Sequence, residues 1–222
     1  MALSDKKILG EIKKGNILIS PFNKNHLSTS SYDVTLGEFY YREQPPKPHH
    51  PFFNIWEKEN VEEVWGKPFR AEKLGKFSKA PKKLSGIGKK DRVIFLRPGE
   101  TILAHTNEFI GGRNTVTTMM KARSSLGRCF IEVCKCAGWG DVGYMNRWTM
   151  EITNNSTHYT IPLVVGRRVA QIIFFKTGKI LDRDYSKEGK YQTHSQIEKM
   201  KKEWKPEMML PRLYKDSEIK IK

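Results

Sequence analysis

The sequence predicts a mostly β protein, a sandwich or barrel, on three observations. Short apolar runs follow one another from residue 92: RVIFL (92–96), TILAHTNEFI (101–110), TVTTMMKA (115–122), CFIEVCK (129–135), RWTMEIT (147–153), TIPLVV (160–165) and VAQIIFF (169–175). Gly, Pro or Asn separates them at the spacing of successive strands and turns. No alternation of strands with helices, the mark of a doubly wound sheet, appears anywhere.

Taken in order, Ser4-Asp5 reads as a helix start. Ile8, Leu9 and Ile12 then form a short apolar stripe that Gly15 ends, a helix of about three turns. ILIS (17–20) reads as a strand. In SYDVTLGEFYY (31–41), Tyr32, Val34 and Leu36 alternate with Asp33 and Thr35, the pattern of a half-buried strand. Residues 42 to 90 change character: Pro45, Pro46, Pro48 and Pro51 break regular structure. Phe52, Phe53, Trp56, Trp65, Phe69 and Phe77 follow among many lysines. This stretch is expected to be an elaborated, basic loop whose aromatics tuck against the body; stacking on single-stranded nucleic acid is the alternative. From about residue 182 the tail, with YSKEGKYQTHSQ (185–196), is polar and expected to be mobile. Ile197, Met200 and Trp204 fall at helical spacing, and Pro206 limits that short terminal helix.

The chain of 222 residues fits one domain carrying an insertion at about 42–90, and its core needs no disulfide staples. Cys129, Cys134 and Cys136 are an odd count crowded together, which argues against a secreted disulfide framework. The start, MALSDKKILGEIKK, has no apolar signal core, and no stretch approaches a membrane span, so a cytoplasmic protein is expected. A formal charge of +16 attracts polyanions of any kind, nucleoside triphosphates included. The lysine excess lies in 67–90 and near the carboxy terminus, and no nucleic-acid recognition motif stands out, so nucleic acid is not the expected partner.

Chemical groups concentrate in residues 121–151, KARSSLGRCFIEVCKCAGWGDVGYMNRWTME. RSSLGR offers two guanidiniums, Arg123 and Arg128, and two hydroxyls, Ser124 and Ser125, a donor set suited to phosphate oxygens or simply a solvated turn. It is not a Walker loop. Glu151, between Met150 and Ile152, would have a raised pKa if it faces inward, as a proton shuttle needs. It could equally face solvent on an edge or pair with Arg147. Asp141 stands in a Gly-rich turn where aspartate also serves local hydrogen bonding. Zinc is not expected: Cys134-x-Cys136 has the wrong spacing, and the H-x-E and P-C-x-x-C pair of zinc deaminases is missing. The cysteines read as small core residues of a strand.

These pieces, in order, resemble the dCTP deaminases of the dUTPase-like superfamily. The resemblance rests on LSDKKILGEIKKGNILISPF, SSYDVTLGEFY, LRPGE, ARSSLGR, AGWGDVGY, MEITN, GRRVAQIIFF and GKYQ. It implies a distorted, jelly-roll-like β-barrel with short terminal helices, assembled as a homotrimer with active sites between subunits. Carried over residue by residue, it implies Glu151 as the catalytic glutamate and Arg123, Ser124, Ser125, Gly127 and Arg128 as the phosphate-holding turn. A serine hydroxyl, Ser124, and the Ala137 carbonyl would orient water. Asp141 falls on the sugar-side aspartate, Thr149 and Gln171 on substrate contacts, and Tyr185, Lys190 and His194 on the closing tail. His194 replaces a family glutamine and Cys136 a family threonine. Gly138-Trp139 looks like the turn of members that continue from dUTP to dUMP. The implied substrates are dCTP and dUTP, with Mg²⁺ riding on the triphosphate, no zinc, and dTTP as a candidate feedback ligand. The rival readings are a dUTP diphosphatase alone and a non-catalytic nucleotide-binding regulator.

Overall fold

A computed structural model of the chain describes residues 1–48, 51–77, 84–181, 185, 189–192, 194 and 196–219. The first helix, α1 (Asp5–Lys13), buries Ile8 completely while Leu9 and Ile12 pack at the margin. Burying one such side chain stabilises the fold by about 1.5–3 kcal/mol. Gly15, at φ 73°, reverses the chain after the helix. Glu11 is also buried. Asn16, then Lys14 and Lys176, hold its carboxyl down at about 2, which ties α1 to a residue 165 positions along the chain.

The strands are β1 (Ile17–Ser20), β2 (Tyr32–Arg42), β3 (Phe69–Arg70), β4 (Glu72–Lys73), β5 (Arg92–Leu96), β6 (Thr101–Gly112) and β7 (Val116–Ala122). After the one-turn helix α3 (Ser124–Gly127) come β8 (Ile131–Val133), β9 (Trp139–Gly140), β10 (Met145–Asn154), β11 (Ile161–Val164) and β12 (Arg168–Lys176). The main sheet runs β8-β10-β6-β2-β12-β7-β9, with β1 also on β6 and β3 on β2; a second sheet runs β11-β5-β4. Helix α2 (Lys58–Trp65) lies in the insertion and α4 (Ile197–Glu203) near the carboxy terminus. The mostly β expectation holds, and the strand runs from 92 onward fall where the sequence put them, except CFIEVCK, of which only Ile131–Val133 is strand.

Bulges curl the main sheet into a half-barrel. Between Leu36 and Tyr40 on β2 the register with β6 shifts, and the His105 ring occupies the space. A Cβ on Gly37 would lie 2.0 Å from that ring, so only glycine fits. His105 Nδ1–H donates to the Thr106 carbonyl at 2.8 Å and Nε2 accepts from the Phe39 amide at 3.2 Å, the bonding of a neutral imidazole. Burial pushes its pKa down to about 4, in keeping with that state.

The two margins of the sheet meet through residues 134–138. The Cys134 amide donates to the Glu151 carbonyl on β10 (3.0 Å), and the Ala137 amide to the Cys134 carbonyl (2.7 Å). The Met120 amide on β7 donates to the Gly138 carbonyl (2.7 Å). Phe130, Cys134 and Lys135 hold positive φ, at 65°, 64° and 40°, a conformation non-glycine residues adopt at a cost.

Four expectations need correction. Strand β2 is buried on both faces: Asp33 and Thr35 are 5% exposed because β2 lies between β6 and β12. Their polarity is met inside, Thr35 donating through its amide (2.9 Å) and hydroxyl (2.8 Å) to Glu108. The insertion is not a plain loop: α2 forms, and Val61 joins Tyr41, Leu103, Met209 and Leu210 in a small second core. Its aromatics do not all tuck in, since Phe52, Phe53, Trp56 and Phe69 are exposed, Phe52 at 80%. Of the cysteines only Cys134 is buried; Cys129 and Cys136 are exposed and lie outside the strands. The expected mobility from residue 182 falls partly on 182–184, 186–188, 193 and 195, outside the described residues. Of the described ones, Gln192 accepts from the Met145 amide at 2.6 Å, and α4 seats Met200 against Phe109 and Met145.

Gly138 tests the seam. A Cβ there would stand 2.4 Å from the Met120 carbonyl oxygen, which is backbone and cannot swing aside. Gly138→Ala is expected to lower stability by about 1–3 kcal/mol, read from chemical or thermal unfolding.

Candidate active site

Strand β10 brings Thr149 and Glu151 to the floor of a cleft of about 470 Å³, beside Leu103 and Trp148. The seam and the turn after it supply one wall: Ala137, Trp139, Gly140, Asp141 and Tyr144. The turn closes through the Tyr144 amide on the Asp141 carbonyl (3.0 Å), with Gly143 at φ 97°. Gly140 is required by contact, since a Cβ would meet Thr118 Oγ1 at 2.4 Å and the Trp148 ring at 2.5 Å. The tail gives Tyr185 and Tyr191, and the outer rim comes from Trp65, Met209 and Pro211.

The aromatic wall is packed edge to face: Tyr144 stands 5.2 Å from Trp148 and 5.1 Å from Tyr185, ring centre to ring centre. Tyr185 is anchored by its amide on the Val142 carbonyl (2.9 Å). Trp148 is fixed by its indole N–H on the Ile110 carbonyl (2.9 Å). Trp139, half exposed, stacks on Phe175 at 6.3 Å.

Glu151 is partly buried and, among the described residues, has no cationic partner within salt-bridge distance. Burial raises its pKa above the usual carboxylate range; its own backbone and the nearby charge of Lys135 pull weakly the other way. Pairing with Arg147 does not occur. The Arg147 guanidinium lies over the rings of Phe109 (5.1 Å) and Trp204 (4.6 Å) instead.

The cleft therefore gathers Glu151, Asp141, Ala137, Trp139, Thr149 and Tyr185 from the sequence-predicted set. Gly138 lies buried just behind, in the seam. The rest stand elsewhere in this chain. Ser124, Ser125, Gly127 and Arg128 form the exposed turn of α3. Arg123 pairs through Nε with Asp33 (3.3 Å), which also accepts from Arg168 Nη1 (3.1 Å). Gln171 faces Asp33 across the β12–β2 ladder and donates to Ser31 Oγ (3.0 Å). Lys190 is paired with Asp216, and His194 Nε2 lies 2.8 Å from Glu203. Among the cleft-lining residues no lysine, arginine, histidine or cysteine occurs.

Sequence reasoning missed Leu103, Tyr144, Trp148, Tyr191, Trp65, Met209 and Pro211 as wall residues. Tyr144, Trp148 and Tyr191 lay inside or beside the quoted motifs and could have been found. Trp65, Met209 and Pro211 reach the cleft only by packing of α2 against the carboxy-terminal segment.

The site invites comparison with known proteins. Residues 2–177 match the family described as dCTP deaminase-like. A dCTP deaminase, dUMP-forming, of Methanocaldococcus jannaschii is 30% identical over 86% of this chain and 91% of its own. Its counterpart of the same description in Methanococcus vannielii is 32% identical over 84% and 86% respectively. A crystal structure of 2'-deoxycytidine 5'-triphosphate deaminase from Agrobacterium tumefaciens superposes with a TM-score of 0.54 at 16% identity. It covers 81% of this chain and 49% of that one, a likeness of fold.

The raised Glu151 pKa has a stability consequence. A carboxyl that binds its proton more tightly in the folded state contributes stability below the unfolded value of about 4.3, and that contribution is lost as pH rises through the folded value. Glu151→Gln, which carries no charge, is expected to gain stability over the parent as pH rises from 4 to 8. Urea unfolding of both proteins across that range checks the sign.

Proposed function

The chain belongs to the dCTP deaminase-like family, and on that premise we propose that it hydrolyses dCTP to dUTP and ammonia and carries dUTP on to dUMP and pyrophosphate. The observation that carries the reading is Glu151, desolvated and without a cationic partner among the described residues, in a cleft shared with Asp141. In this reading Glu151 takes a proton from water as the oxygen attacks cytosine C4 and delivers it to N3; it then takes the proton of the new C4 hydroxyl and passes it to the amine, so that the C4 carbonyl forms as the C4–N bond breaks and ammonia leaves. One carboxyl serves each step because its pKa is raised toward the working pH.

No metal is assigned to the deamination. The cleft offers carboxylates, a threonine and aromatics, a donor set that supplies proton transfer and stacking. The relatives described as dUMP-forming and the Gly138-Trp139 turn support the second step. There Asp141 and Glu151 direct water at the α-phosphorus, and the bond to the pyrophosphate leaving group breaks. Mg²⁺ travels on the triphosphate and keeps several of its waters.

No cation lies among the cleft-lining residues to meet a triphosphate, and the donors of Arg123, Ser124, Ser125 and Arg128 are not among them either. We place the phosphates on that turn of a neighbouring protomer, in a homotrimer whose sites are shared. Orienting the base against Glu151 in this way contributes through proximity. The dTTP product of downstream chemistry would compete for the same place.

Incubation of the protein with dCTP and Mg²⁺ is expected to release ammonia and yield dUMP. dUTP as sole product rejects the second step, and pyrophosphate from dUTP without ammonia from dCTP leaves only a diphosphatase. Glu151→Gln is expected to lower deamination by about 10²- to 10⁴-fold while dCTP still binds. Shared sites have their own test. Co-expressed Glu151→Gln and Arg128→Ala chains, each inactive alone, should recover about a quarter of parental activity by random assortment. No recovery refutes sites built across subunits.

A further inference from the structure

Residues 189–192 lie in no helix or strand, yet they bring Tyr191 to the cleft that holds Glu151, Asp141 and Tyr185. Two sets of contacts keep this polar stretch in place. The first ties it to the start of β10. The Met145 amide donates to Gln192 Oε1 at 2.6 Å, and Asn146 Nδ2 donates to the Tyr191 carbonyl at 2.8 Å. Gln192 and Asn146 are each 6% exposed, so water competes little for these bonds. The Gly189 amide closes back on the Tyr185 carbonyl at 2.8 Å, and a Cβ on Gly189 would stand 2.1 Å from the Tyr185 ring.

The second set comes from the carboxy-terminal segment, beyond residues 2–177 that match the family. Three contacts from Arg212 converge on two consecutive residues. Its backbone amide donates to the Tyr191 hydroxyl at 3.1 Å, and its Nη1 donates to the Lys190 carbonyl at 2.7 Å. Its guanidinium carbon also lies 5.6 Å from the centre of the Tyr191 ring. Four residues on, Asp216 pairs with the Lys190 ammonium. The segment that makes these contacts is itself anchored, because Met209 and Leu210 are buried in the second core with Tyr41, Val61 and Leu103. Arg212 therefore grips a loose stretch from a fixed support.

We propose that Arg212 is a positioning residue: with Asp216 it latches residues 189–192 in place before any ligand enters, so that Tyr191 is a preformed wall of the cleft. A wall already ordered spares the ligand the cost of ordering it, which favours binding and leaves the chemical step unchanged. The insertion takes part indirectly, since Val61 packs with Met209 and Leu210. The latch does not depend on which nucleotide binds. Its effect on turnover rests on the deaminase reading, and the experiment separates the two.

Amide hydrogen exchange without nucleotide compares the parent with Arg212→Ala/Asp216→Asn, which removes the guanidinium contacts and the ion pair; neither residue lines the cleft. Exchange at 189–192 is expected to be about tenfold faster in the double variant and unchanged at 150–153 of β10. Equal rates at 189–192 overturn the latch. If 150–153 also exchanges faster, the fold has loosened as a whole. Tyr191→Phe, which removes only the acceptor of the Arg212 amide, must then speed exchange at 189–192 alone for the proposal to stand. With dCTP and Mg²⁺, the double variant should raise KM about five- to tenfold and change kcat less than about twofold. Faster exchange with an unchanged KM, or a fall in kcat alone, overturns the positioning role. Ammonia release by the parent reports the deaminase reading by itself: if none is released that reading fails, and the exchange rates still decide the latch.

Discussion

The hydrogen bond from the Cys134 amide to the Glu151 carbonyl holds the site together. It fixes the backbone of Glu151 at one margin of the curled sheet. Four residues on from Cys134, the Gly138 carbonyl accepts from the Met120 amide at the other margin. A single short loop therefore joins the edges of the half-barrel and sets the depth at which the carboxyl sits. The cost is local. Cys134 and Lys135 take left-handed conformations, and Gly138 and Gly140 are pressed so close to their neighbours that no side chain fits. Strain of this kind persists only where the surrounding structure over-determines it, here through β7, β10 and the Trp148 ring.

Charge is separated in space. The cleft holds two carboxylates and no cation, while Asp33 gathers Arg123 and Arg168 at the ends of β7 and β12. Asp33 is 5% exposed, and with both arginines around it the ion group is internally satisfied. This gives the turn after β7 a fixed direction, and it accounts for Gln171 lying beside that turn and away from the cleft. In our reading the two regions serve the two ends of one nucleotide. That reading has them meet between associated protomers.

Much of this was legible in the chain. Apolar runs with turn residues between them marked the strands; the 121–151 stretch itself singled out Asp141 and Glu151, the resemblance added Ala137 and Thr149, and the cleft brings these four together. What was illegible is tertiary in origin. Alternation in β2 suggested a solvated face, but an interior strand buries both faces. Asp33 and Thr35 then find partners at Arg168 and Glu108, far along the sequence. Prolines masked α2, a short helix stabilised mainly by seating Val61 against Met209 and Leu210. The CFIEVCK run read as one strand, yet left-handed residues at 130, 134 and 135 confine β8 to Ile131–Val133 and leave Cys129 and Cys136 exposed. Trp65 carried no local signal of a place at the cleft, since only the packing of α2 brings it there.

The account depends on the Glu151 carboxyl being harder to ionise than an ordinary glutamate. The direct measurement is its own titration, followed by ¹³C chemical shift in protein labelled at glutamate Cδ, with Glu151→Gln identifying the resonance. A midpoint clearly above the ordinary value of about 4.3 is predicted. A midpoint at or below that value would contradict the account, because such a carboxyl is a fully solvated or ion-paired group and a poor proton shuttle near neutral pH.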